Sequence, residues 1–177
     1  MNKLKCYTIT GILFVIITGT ISHFVYEWSQ NNFILGLFFP VNESTWEHMK
    51  LLFFPMLIYS FFMGRRLKGD YPCITSSLLA GVLLGTFLIP VIFYTYSGIL
   101  GQHFTPLDIG TFILSTLLAF ATVYRLSLSC RASSCTFLLK ICTLLLAFCF
   151  MIFSFRHPDL GIFMNPSITK NSILFFV

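Results

Sequence analysis

Long apolar runs separated by short polar stretches make up almost the whole chain. Five runs are long and apolar enough to cross a membrane as helices, at 6–27, 47–64, 73–97, 107–125 and 135–155. A helix rises about 1.5 Å per residue, so roughly 20 apolar residues cover a hydrocarbon core of about 30 Å. The pattern predicts an all-α polytopic membrane bundle of about five spanning helices, which forms a single transmembrane domain over residues 1–177.

Three shorter features refine this picture. Residues 30–41 are too apolar for a solvated loop and too short to cross, so we expect an interfacial or re-entrant segment whose backbone is covered by protein. The tail, 156–177, is apolar with Gly and Pro at turn spacing, and we expect it to fold back over the outer end of the bundle. Gly81 and Gly85 form a small-xxx-small pattern, which predicts close approach of a neighbouring helix.

Composition agrees with a membrane location. The chain is 56% hydrophobic and only 10% charged, whereas soluble domains are about a quarter charged. Its net charge of +5 is accompanied by no nucleic-acid recognition motif, so we expect no nucleic-acid partner. The expected partner is the lipid bilayer, with a lipid headgroup or a membrane protein as a further candidate.

The distribution of Lys and Arg predicts the orientation. Basic residues cluster before the first span and in the second and fourth connections, at Lys3, Lys5, Arg65, Arg66, Lys68, Arg125, Arg131 and Lys140. Because basic residues favour the cytoplasmic side, we expect a cytoplasmic N-terminus and an extracytoplasmic C-terminus. Cys6, Cys73, Cys130 and Cys135 then lie on the inner side, where we expect reduced thiols and no disulfide.

Histidines and acids have the opposite distribution. Nine potential ligands or proton carriers fall at outer helix ends: His23, Glu27, Glu43, Glu47, His48, His103, Asp108, His157 and Asp159. Imidazole and carboxylate together suit a divalent metal such as zinc, iron or manganese. The candidate metal ligands are His23, Glu27, His48, His103 and His157, and the candidate catalytic residues are Glu43, Glu47 and His48.

The stretch 42–50, NESTWEHMK, has two possible interpretations. Ser44 and Glu47 fit a capping box, in which each side chain bonds the backbone amide of the other. Glu43, Glu47 and Lys50 also share one helix face, so the lysine would face two carboxylates. In the first span, His23 and Glu27 stand one turn apart and can pair with each other.

Three motifs resemble a known family. They are HxxYEWS at 23–29, PVNESxWEHxKL at 40–51 and GIFxNP at 161–166. The chain resembles a family of small bacterial multi-pass membrane proteins of unknown function. The resemblance implies a bacterial plasma-membrane location and supplies no activity.

Two functions remain open from the sequence. The first is a binding or accessory protein, in which the outer polar residues pair off as Glu27–His23, Glu47–Ser44 and Glu43–Lys50. The alternative is a metal-dependent hydrolase or transferase acting on a lipid at the outer leaflet, for which His23, His48 and one Glu must come within ligand distance. No HExxH or GxSxG motif is present to favour the enzyme.

Overall fold

The fold is entirely helical over residues 3–164, which are the residues that the computed structural model describes. Six α-helices follow in order: α1 Lys3–Trp28, α2 Phe33–Gly36, α3 Thr45–Leu67, α4 Ile74–Leu100, α5 Thr105–Ser129 and α6 Thr136–Phe153. Short 3₁₀ turns at Ser133–Cys135 and Gly161–Phe163 precede and follow α6. The all-α prediction is therefore confirmed.

Four of these helices are long and apolar enough to span a membrane, namely α1, α4, α5 and the helix Ser133–Phe153 that contains α6. The chain is thus a membrane protein by this measure. The remaining long helix, α3, has the length of a span but carries Glu47 and Lys50 near its start and Arg65 and Arg66 at its end. Of its 23 residues, 14 are buried, so the apolar helices shield much of its surface.

The helices α1, α3, α4 and α5 form one bundle. Contacts of α1 with α3, α3 with α4, α4 with α5 and α5 with α1 close a ring of four, and α6 packs outside it against α4 and α3. Successive long helices run in opposite directions, so two ends can be distinguished. The histidine end holds residues 23–51, 94–111 and 153–164, and the basic end holds residues 3–8, 60–78 and 123–140.

Close approach of α4 and α5 depends on the glycines of α4. A Cβ atom at Gly81 would lie 2.4 Å from a methyl group of Val123, and one at Gly85 would lie 2.7 Å from the Cβ of Ala119. Separations this short do not occur between carbon atoms in contact, so larger residues would force the helices apart. The predicted small-xxx-small contact is confirmed.

The segment 30–41 and the described part of the tail cover the histidine end. Asn32 caps α2 by accepting from the amides of Ile34 and Leu35. The tail folds back so that Phe163 is buried against Trp46 at the start of α3. The prediction for residues 165–177 lies outside the described residues.

One expectation about the cysteines is wrong. Cys73 and Cys130 form a disulfide, although we expected free thiols. Cys73 precedes α4 and Cys130 follows α5, so antiparallel packing of the two helices brings their Cα atoms to 5.3 Å at the basic end. A pairing between residues 57 positions apart has no local signal in the sequence.

Candidate functional site

The candidate site lies at the histidine end, where α1, the loop 42–44 and α3 meet. α1 supplies His23 about one turn before its end, the loop supplies Glu43, and the first turn of α3 supplies His48. One ligand atom from each of these three residues lies within 4.8 Å of the other two. We name these three residues the His–Glu–His cluster.

Local hydrogen bonds fix the start of α3. Ser44 is its N-cap, and the hydroxyl accepts from the amide of Glu47 at 3.3 Å, which is one half of the predicted capping box. The other half is replaced: the amide of Ser44 donates to Asn42, and Glu47 accepts instead from the amide of Val41. The loop that carries Glu43 is therefore held by its neighbours on both sides.

Glu43 lies between the two imidazoles. Its Oε2 is 3.4 Å from Nε2 of His48, and its Oε1 is 3.9 Å from Nε2 of His23. The two imidazole rings are 5.3 Å apart between centroids. Glu43 is 56% exposed, whereas the two histidines are about one-third exposed, so the cluster opens outward through the carboxylate.

The tautomer of His48 follows from its backbone contact. Its Nδ1 lies 2.9 Å from the carbonyl oxygen of Ser44, and because a carbonyl only accepts, this nitrogen carries the proton. In the protonated ring Nε2–H donates to Glu43, and loss of that proton leaves on Nε2 a lone pair with the same direction. A histidine that donates one ring N–H to a backbone carbonyl and presents the other nitrogen is the usual arrangement of a metal ligand.

Glu43 is ionised at neutral pH. Its hydrogen bond with His48 holds the pKa of the carboxyl below its usual value, partial burial opposes this, and the charges of His48 and His23 add to the lowering. The carboxylate is consequently available as a ligand without a proton to displace.

The spacing of the cluster fits a small divalent ion. In a tetrahedral zinc site with bonds of about 2.0–2.1 Å, neighbouring ligand atoms are roughly 3.4 Å apart. The distance of 3.4 Å between Nε2 of His48 and Oε2 of Glu43 already has this value, whereas Nε2 of His23 lies 3.9 Å from the other carboxylate oxygen, so the ligands would draw closer around a bound ion. Two imidazoles and one carboxylate also match the three-ligand composition that leaves a coordination position open.

Glu47 and Lys50 form a separate, buried ion pair. Each is 1% exposed, and Nζ of Lys50 donates to Oε2 of Glu47 at 2.8 Å, to the carbonyl of Gly36 at 3.1 Å and to the hydroxyl of Ser154. The three donors of the ammonium group therefore have three acceptors. Together with the amide of Val41, these groups are named the Lys50 network. Glu47, a predicted catalytic residue, is thus enclosed by structural contacts, and Lys50 does not pair with Glu43.

A third group of polar residues lies beside the cluster. Oδ2 of Asp108 is 3.3 Å from Nδ1 of His103, and Oδ1 accepts a hydrogen bond from Tyr96. Asp108 is also near enough to His48 to act electrostatically on it. His103 therefore pairs with Asp108 and is not part of the His–Glu–His cluster.

The remaining candidates lie elsewhere at this end. Glu27 is exposed on the last turn of α1, and among the described residues His23 approaches Glu43 rather than Glu27. The ring of His157 stacks on Phe163, 5.9 Å away, and Asp159 is exposed in the tail. Of the five predicted metal ligands, the structure brings together His23 and His48.

Three hydrogen-bond partners at this end of the bundle were not predicted from the sequence. Gly36 and Ser154 complete the Lys50 network, and Tyr96 bonds Asp108. Ser154 is 104 positions from Lys50, so no spacing rule relates them. A tyrosine near the end of an apolar helix is typical of the membrane interface, and only the packing of α4 beside α5 places the hydroxyl of Tyr96 on the carboxylate.

The fold and the site define a polytopic helical membrane protein with a His–Glu–His cluster at one end of the bundle. The model of a family of unknown function, DUF6512, matches residues 1–173, and the chain belongs to that family. The resemblance to a family of unknown function is therefore confirmed. No curated protein and no solved structure matches the chain.

Replacing Lys50 should destabilise the protein strongly. Lys50→Met leaves the carboxylate of Glu47 buried without its cation, and breaking one side of a buried pair costs about 3–5 kcal/mol. The double variant Glu47→Gln/Lys50→Met should recover part of this loss, because it buries no charge. Thermal unfolding in a mild detergent measures both effects.

Lys3→Met is the matched control, because Lys3 forms an exposed ion pair with Asp70. Exposed pairs contribute little to stability, so its unfolding temperature should stay close to that of the wild type. Equal destabilisation by Lys3→Met and Lys50→Met would contradict the role of the Lys50 network.

Proposed function

We propose that this membrane protein binds one divalent transition-metal ion at His23, Glu43 and His48. The observation that carries the proposal is the convergence of three ligand atoms, within 4.8 Å of one another, from three separate segments of the chain. The contact of His48 with the carbonyl of Ser44 supports it, since it orients Nε2 as a ligand.

The arrangement differs from the one expected for a self-paired binding surface. That hypothesis required Glu43 with Lys50 and Glu27 with His23, whereas Lys50 pairs with Glu47 and both histidines approach Glu43. Two imidazole nitrogens and one carboxylate converge here, and a divalent cation would replace the protons that pair them. Zinc is the ion that this ligand set suits best, with iron and manganese as competitors.

Hydrolysis or group transfer on a lipid is the second candidate function. It is favoured by Asp108, a carboxylate held by Tyr96 and His103 and close enough to His48 to act on it. A bound metal would lower the pKa of a coordinated water, and in this proposal Asp108 is the base that accepts its proton. Exposure of Glu43 leaves a path from the surface to the cluster.

We further propose that α3 is a fifth span and that the N-terminus is cytoplasmic in a bacterial plasma membrane. Its 23 residues extend about 35 Å, more than the hydrocarbon thickness of about 30 Å. Basic residues at Lys3, Arg65 and Lys68 lie at one end of the bundle, and this end should face the cytoplasm. The disulfide at the same end opposes this orientation, because cytoplasmic thiols are kept reduced.

Zinc binding should depend on the cluster alone. Protein purified without a polyhistidine tag and dialysed against zinc should retain about one ion per chain by elemental analysis. His23→Ala and His48→Ala each remove a ligand, so their affinity should fall by at least the roughly 10–100-fold that loss of an outer-shell partner causes. His157→Ala removes a histidine of the same end and should bind normally. Absence of bound metal, or an equal loss of zinc affinity in His157→Ala, would contradict the proposal.

Replacing Asp108 should reduce turnover without reducing metal binding. If the protein is a hydrolase, the wild type with zinc should release product from a phospholipid or lipid ester in mixed micelles. Asp108→Asn should keep its zinc and lose roughly 10²–10⁴-fold in rate, the contribution of a general base. Turnover that survives this substitution, or that persists in His48→Ala, would rule out the assigned chemistry.

Topology reporters should place the two ends of α3 on opposite sides. Alkaline phosphatase fused after Asn31 should be active, and the same enzyme fused after Gly69 should be inactive, because folding of the reporter requires an extracytoplasmic location. Activity at both positions would show that α3 does not cross. The reverse pattern would invert the orientation and place the Cys73–Cys130 disulfide in the oxidising compartment.

A further inference from the structure

A groove runs between α3 and α4 at the basic end, opposite to the His–Glu–His cluster. Its volume is about 400 Å³, within the range of small-molecule sites. Its walls are mainly apolar, formed by Leu57 and Phe61 from α3 and by Leu78 and Leu79 from α4. These walls suit a hydrocarbon chain rather than a polar solute.

Gly64 lines the groove and contributes no side chain to it. A Cβ atom at this position would lie 3.5 Å from Leu78, an ordinary contact distance. Gly64 therefore differs from Gly81 and Gly85, whose missing Cβ atoms let helices touch. Here the absent side chain leaves space that a larger residue would fill without displacing the backbone.

Two cations stand at the mouth of the groove. Arg65 and Lys68 both line it, at the end of α3. The guanidinium of Arg65 lies 4.3 Å above the ring of Phe61, a cation–π contact that keeps the charge over the apolar wall. Neither cation takes part in an ion pair within residues 3–164.

A polar atom without a partner lies deeper in the groove. Ser60 lines the groove, and its hydroxyl is buried and has no hydrogen-bond partner among the described residues. Buried hydroxyl groups are normally hydrogen-bonded, so a bound molecule could supply the partner that the hydroxyl of Ser60 lacks. Ser60 precedes Arg65 by five residues, about 7.5 Å along the helix, which is on the hydrocarbon side of the cations.

We infer that this groove binds one anionic phospholipid. An acyl chain lies against Leu57, beyond Ser60, the phosphate accepts hydrogen bonds from Arg65 and Lys68, and an ester carbonyl of the lipid between them accepts from Ser60. The order of apolar wall, hydroxyl and cations along α3 matches the order of chain, ester and phosphate in such a lipid. Basic pockets between membrane helices recognise anionic headgroups in this way.

Native mass spectrometry of the full chain tests this inference. Delipidated protein in detergent is titrated with phosphatidylglycerol, with phosphatidylcholine of the same chains, and with inorganic phosphate. We expect one phosphatidylglycerol per chain, bound at least about tenfold more tightly than phosphatidylcholine, which corresponds to about 1.4 kcal/mol. Equal retention of the two lipids, or saturation by phosphate alone, would overturn the inference in favour of general lipid contact or a phosphate site.

Three variants locate the lipid. Arg65→Gln/Lys68→Gln should abolish the preference for phosphatidylglycerol, and Gly64→Leu should reduce binding of both lipids by filling the groove. Arg66→Gln, compared with the single variant Arg65→Gln, is the matched control, since each removes one charge and only Arg65 lines the groove. Far-UV circular dichroism verifies that each variant is folded. An equal loss in Arg66→Gln would show bulk attraction of anionic lipid rather than a site, and this result would not bear on metal binding at the other end.

Discussion

A buried ion pair at the start of α3 is the constraint on which the histidine end depends. Glu47 and Lys50 are almost completely enclosed, although burying an ion of this size costs several kcal/mol. The cost is tolerable because every donor of the ammonium group is occupied, by the carboxylate, by the carbonyl of Gly36 and by the hydroxyl of Ser154. These acceptors belong to three segments, so α3, the segment 30–41 and the end of α6 are held together by one side chain.

The same pair determines where the candidate ligands lie. Glu47 accepts from the amide of Val41, which fixes the chain just before Glu43, and its own amide is bonded to the N-cap Ser44. With the first turn of α3 and the preceding loop both immobilised, Glu43 and His48 have little freedom relative to α1 and to His23. Preorganisation of this kind is what a metal site requires, since its ligands must be held close to their bound geometry.

Hydropathy and residue spacing predicted the long helices and the grouping of histidines at one end, because both follow from the one-dimensional order of polar and apolar residues. They put both carboxylates on the face of Lys50, Glu47 three residues and Glu43 seven residues before it, whereas only Glu47 meets the lysine. The difference depends on the chain path before Ser44: Glu43 lies outside the helix, so its side chain turns toward His48 and His23. The pairs Lys50–Ser154 and Cys73–Cys130 join distant positions, which only the packing of helices brings together.

The polarity of α3 distinguishes it from the four apolar helices of the described chain. A helix that faces lipid must be apolar on its exposed side, whereas a helix enclosed by others need only satisfy its polar groups. α3 contacts α1, α4 and α6, and Lys50 near the histidine end is fully bonded to protein groups. The apolar surface of the bundle therefore belongs to the surrounding helices. Among the four apolar helices, the one that contains α6 is the most exposed, with 17% of its apolar stretch buried. Enclosure is what allows one helix to present histidine and carboxylate chemistry at one end and cations at the other.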